Sequence, residues 1–75
     1  MMYIEDTIQH YAIKNKGFNL RKNTKSSIFA IQFPTLDEAN KFDKEISNYF
    51  EEEVANFELT ARKDFENNIV YLYLH

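Results

Sequence analysis

Two stretches of this 75-residue chain have almost no polar side chain: Ile28-Phe29-Ala30-Ile31-Gln32-Phe33 and Ile69-Val70-Tyr71-Leu72-Tyr73-Leu74. Each is too short for a buried helix and is dominated by β-branched and aromatic residues, so each predicts a strand in the interior of a sheet. Pro34 ends the first, because it has no N–H for a ladder. Two interior strands need two outer neighbours and a cover, and a chain this short must supply both within one small domain, residues 1–75.

The outer strands come from alternating segments. Phe18, Asn19, Leu20, Arg21 and Lys22 alternate apolar and polar, with a polar turn at Asn23–Ser27 leading into the first apolar run. Ala55, Phe57, Leu59 and Ala61 alternate with Asn56, Glu58, Thr60 and Arg62, so a strand is expected over Ala55–Lys63. Turn-formers at Asp64–Asn68 join it to the second apolar run. The cover comes from two helices. In residues 3–15, Ile4, Ile8, Tyr11 and Ala12 share one face, Glu5 and Asp6 suit the N-terminal dipole, and Gly17, the only glycine, is expected as the left-handed stop. In residues 35–50, Thr35 and Glu38 form a capping box. Leu36, Ala39, Phe42, Ile46, Tyr49 and Phe50 make the apolar stripe. Glu51, Glu52 and Glu53 would oppose the dipole at its C-terminus, so the helix should end near there.

The order is therefore αββαββ. A right-handed crossover from the second strand to the third leaves room for one strand between them, and the fourth fills it antiparallel. The expected fold is an α+β two-layer sandwich: a four-stranded antiparallel sheet in the order first, second, fourth, third, with both helices on one face. In topology this resembles a circularly permuted ferredoxin-like sandwich. Folds of that kind host many functions, so function must be read from surfaces.

Alternation sorts the strand residues. Phe18, Leu20, Phe29, Ile31, Phe33, Phe57, Leu59, Ala61, Val70, Leu72 and Leu74 are expected under the helices. The open face should carry Asn19, Arg21, Ile28, Ala30, Gln32, Glu58, Thr60, Arg62, Ile69, Tyr71 and Tyr73. An open face whose centre is apolar and aromatic is a candidate binding surface, here Arg21, Ile28, Arg62, Tyr71 and Tyr73.

The formal net charge of −3 is unevenly spread. Lys14, Lys16, Arg21, Lys22 and Lys25 occupy residues 14–25 with no acid among them. Residues 37–58 hold Asp37, Glu38, Asp43, Glu45, Glu51, Glu52, Glu53 and Glu58 against Lys41 and Lys44. This makes an acidic helix face, Asp43, Glu45, Glu51, Glu52 and Glu53, a second candidate surface for a basic partner.

Chemistry finds few footholds. There is no cysteine for a nucleophile, disulfide or thiolate metal site, and one glycine cannot build a phosphate loop. His10 and His75 belong to no metal-ligand spacing, so no metal or other cofactor is expected. No apolar stretch approaches the ~20 residues of a membrane span, and the N-terminus shows no basic region followed by an apolar one. With no cysteine, the cytoplasm is the expected location. The sequence thus predicts a non-enzymatic protein-binding module, inhibitory or regulatory. Its Asn-, Lys-, Ile- and Phe-rich composition is of the kind met in phages and mobile elements of low-GC bacteria. A homodimer is expected through the open sheet face or the Phe18–Lys22 edge, because a domain this small gains stability by self-association. The alternative reading is a single-stranded nucleic-acid-binding protein that stacks bases on Tyr71 and Tyr73, although the net charge disfavours phosphate.

Overall fold

Both apolar runs lie in the interior of a single sheet. In the computed structural model, which describes residues 4–23 and 27–75, the elements in chain order are α1 (Ile4–Lys14), β1 (Phe18–Asn23), β2 (Ile28–Gln32), α2 (Leu36–Tyr49), α3 (Glu51–Ala55), β3 (Leu59–Asp64) and β4 (Ile69–Leu74). The sheet order is β1-β2-β4-β3 with every neighbour antiparallel, the expected two-layer α+β sandwich. The expected helix start at Tyr3, and Thr24, Lys25 and Ser26 of the expected first turn, lie outside the described residues.

One core joins the two layers. Ile8 and Ala12 of α1 and Ala39, Phe42 and Ile46 of α2 pack on Phe29 and Ile31 of β2, Leu59 of β3, and Val70 and Leu72 of β4. The strand members have one parity, so the helices cover one face of the sheet only. Phe33, just past β2, meets Phe42 with ring centroids 5.0 Å apart, within the range of favourable aromatic pairs. Asn15, buried behind α1, donates from Nδ2 to the Tyr11 carbonyl at 2.9 Å and to Glu45 Oε1 at 3.1 Å, which ties α1 to α2.

Several local expectations need correction. Gly17 does not hold the left-handed position after α1; Lys16 does, with φ 65°. The Lys16 N–H bonds the Ile13 carbonyl and the Gly17 N–H bonds the Ala12 carbonyl, the two hydrogen bonds of a Schellman motif displaced by one residue from the expected site. The chain also breaks at Phe50. Rather than simply ending, it restarts as α3, so Glu51, Glu52 and Glu53 form a first turn, where the dipole favours acids, instead of a last turn, where it opposes them. Ala55 is consequently helical and β3 begins only at Leu59. Phe57, expected under the helices, precedes the strand, has φ 59° and is 80% exposed.

On the other edge, β1 carries a bulge. Phe18 pairs with Gln32 and Arg21 with Ala30, so three steps on β1 match two on β2. The extra residue defeats simple alternation. Phe18 and Leu20, also expected under the helices, are 43% and 41% exposed and take no part in the core. In α2, Leu36 and Tyr49 of the expected stripe are exposed as well, because the helix rests on the sheet through the narrower row Ala39, Phe42 and Ile46.

The turn between β3 and β4 is built on Asp64. Its carboxylate accepts from the Glu66 and Asn67 backbone N–H groups at 3.0 and 3.3 Å and from Asn67 Nδ2 at 2.9 Å. These donors favour the ionised form, the Asn67 side chain most, and hold its pKa below the usual carboxylate value. A folded-state pKa below the unfolded one adds stability at neutral pH that is lost as pH falls through the lowered value. Thermal melts should therefore show Asp64→Ala less stable than the wild type at pH 7, with the gap closing in strong acid. A gap that stays constant from pH 7 to strong acid would mean the ionised carboxylate does not hold the turn.

Candidate functional site

Antiparallel pairing places directly opposed residues on the same face, so the register gives the open surface row by row. One row across the sheet is Arg21, Ala30, Tyr71 and Arg62. The next is Asn23, Ile28, Tyr73 and Thr60. The five sheet-face residues singled out from sequence, Arg21, Ile28, Arg62, Tyr71 and Tyr73, thus come together on two adjacent rows. The tyrosines stand two residues apart on β4 and an arginine flanks each end of the first row. Ile28, Tyr71 and Tyr73 are half-buried among their neighbours, while Arg21 and Arg62 are exposed.

Beside Tyr71 the surface dips into a shallow hollow of about 280 Å³, lined by Asn19, Arg21, Ala30, Gln32, Ile69 and Tyr71. The β1 bulge shapes one wall. Asn19 takes φ 52° there and its Nδ2 reaches Gln32 Oε1 at 3.4 Å. Gln32, the one polar residue in the first apolar run, lines this hollow, which the sequence reading did not anticipate. The bulge had no sequence signal.

The acidic residues do not form one face. Asp43 points toward the sheet and pairs with Lys63 of β3 at 3.1 Å. Glu45 points toward α1 and pairs with Lys14 at 2.8 Å. Lys14 and Asn15 together lower the Glu45 pKa, and Glu45 in turn raises that of Lys14. Glu51, Glu52 and Glu53 lie beyond the break at Phe50, on α3. Asp43 and Glu45 are thus structural partners within the chain, one on each flank of α2.

Among the described residues no group of acids and histidines is placed to hold a metal ion, and no helix is long and apolar enough to cross a membrane. His10 stacks edge-on against Tyr11, and His75 Nε2 lies 3.2 Å from Thr60 Oγ1. A second hollow of about 300 Å³ lies at the outer side of β3, bordered by Asp43, Ser47, Val54, Phe57, Leu59, Thr60 and Ala61. No protein-family model matches this chain, and no curated protein or solved structure is significantly similar to it.

Proposed function

We propose that this chain is a non-enzymatic binding module that engages a protein partner through the open face of its sheet. The observation that carries this reading is the row Arg21–Ala30–Tyr71–Arg62 with Ile28 and Tyr73 beside it, an apolar and aromatic strip flanked by two arginines. Tyrosine and arginine are among the side chains most enriched where binding energy concentrates, since each offers a large contact area together with a polar end. The acidic alternative is weaker, because Asp43 and Glu45 are spent on Lys63 and Lys14. A partner fitting this face is flat and apolar at its centre, with carboxylates placed to meet Arg21 and Arg62.

A photo-crosslinking side chain at Tyr71 should capture the partner in the producing cell, and the same group at Glu52 on α3 should not. Arg21→Glu with Arg62→Glu should abolish the capture at Tyr71. Capture from Glu52 alone would transfer the function to the acidic helix. The paired tyrosines and flanking arginines also favour a second reading, in which single-stranded nucleic acid stacks on the sheet. Titration with labelled oligonucleotides at low salt should show no binding. Micromolar binding that is lost on Tyr73→Ala would replace the protein partner with nucleic acid.

A further inference from the structure

We infer that two copies of this chain pair edge to edge through β3, around a two-fold axis at Thr60, and so extend the sheet across the dimer. The His75 N–H bonds the Glu58 carbonyl at 2.9 Å, which makes residues 58 and 75 a hydrogen-bonded pair and sets the parity of the ladder. The backbone groups of Thr60, Arg62 and Asp64 therefore turn inward to β4. Those of Leu59, Ala61 and Lys63 turn outward, and β3 is an edge of the sheet. An unmatched row of this kind is a template for another strand.

The occupant follows from the charges on that row. The outward backbone groups can face those of a second copy in antiparallel registers centred on Thr60, Ala61 or Arg62; a centre nearer either end pairs too little of the strand. Centring on Arg62 sets the two Arg62 side chains against each other, and centring on Ala61 sets Glu58 against Asp64. Centring on Thr60 sets each Glu58 opposite Arg62 of the second copy, twice by symmetry, with Leu59 opposite Ala61 on the helix side. Lys63, the other cation of this strand, is already matched by Asp43.

Phe57 adds a second observation. A bulky residue with φ 59° and 80% exposure is disfavoured on both counts, and it sits at the rim of the hollow alongside β3. The Thr60 register carries it toward Lys63 of the second copy and over that hollow. The opposite edge is less suited, since β1 is bulged and its Lys22 is paired with Glu5.

Light scattering at tens of micromolar should give twice the 9.0 kDa mass of the chain. Glu58→Arg and Arg62→Glu should each weaken dimerisation by about tenfold, since each sets two like-charged cross-strand pairs in place of two opposite ones. The double variant should restore it, and an equimolar mixture of the two single variants should form a heterodimer. Ala61→Pro, which removes only an outward N–H, should leave a folded monomer; the charge swap decides the matter should that variant misfold. A wild-type mass of 9.0 kDa at these concentrations, or a dimer indifferent to the charge reversals, overturns the proposal. Arg62 belongs both to this edge and to the open-face row, so Glu58→Arg separates the two readings: it should weaken the dimer and leave the capture at Tyr71 unchanged.

Discussion

Phe42→Ala should cost ~3–5 kcal/mol in urea melts, close to the whole stability of the domain. Phe42 is fully buried, and it is the α2 side chain that meets Phe33 ring to ring at the centre of the core. A domain of this size has about 5 kcal/mol to lose. Removing the ring forfeits its transfer energy and leaves a cavity that the surrounding side chains cannot close. Those neighbours are themselves fixed: Phe33 follows an interior strand, and Ile46 lies on the same helix face. The variant should keep only ~0–2 kcal/mol, so its thermal melt should begin near room temperature and its near-ultraviolet circular dichroism should weaken on mild warming. A loss below 1 kcal/mol with an unchanged denaturant slope would show that α2 does not dock on the sheet through this row.

Gly17→Ala should destabilise by ~1–3 kcal/mol, as an overpacked site does. The cause is crowding. A β-carbon at Gly17 would stand 2.8 Å from the Ala12 carbonyl oxygen, 2.8 Å from Ile31 Cγ2 and 3.0 Å from Phe33 Cε1. The Ala12 oxygen cannot withdraw, because it accepts the Gly17 N–H that closes α1 at 2.6 Å. Ile31 and Phe33 cannot withdraw either, since both are packed in the core. The neighbouring residue should respond with the opposite sign. Lys16 bears the left-handed conformation, so Lys16→Gly should stabilise by ~0.5–1 kcal/mol. If Gly17→Ala were neutral and Lys16→Gly destabilising, the left-handed position would belong to Gly17 after all.

Much of the architecture was legible from local pattern. The two apolar runs named the interior strands, since strands with partners on both edges are the richest in β-branched and aromatic residues. Pro34 and the Thr35–Glu38 capping box placed the start of α2 to the residue, because a missing N–H and a satisfied helix end are both local chemistry. With the interior strands named, right-handed crossover and short connections favoured the sheet order that is found, over a two-layer sheet in another order. The open-face rows followed from alternation on β2 and β4, where nothing disturbs the pairing. Thus Arg62, Tyr71, Tyr73 and Ile28 could be placed together from sequence alone.

What depended on tertiary structure lies where two local rules compete or where a distant contact decides between them. Alternation at Phe18–Lys22 is compatible with a regular strand or a bulged one, and only pairing with β2 shows that one extra residue is inserted, exposing Phe18 and Leu20. The acids Glu51–Glu53 announce a helix end but not that a new helix follows; the break falls at Phe50, whose side chain is buried in the core. A lone glycine after a helix reads as a stop, yet whether it serves for its backbone freedom or for its lack of a side chain depends on Ile31 and Phe33, residues more than a strand away. The charges were least legible of all. Asp43 and Glu45 are two residues apart in sequence but face opposite flanks of α2, toward Lys63 and Lys14, because a helix turns by about 100° per residue. Sequence supplies the number and sign of the charges, and only the packed arrangement of the elements determines which of them remain available to a partner.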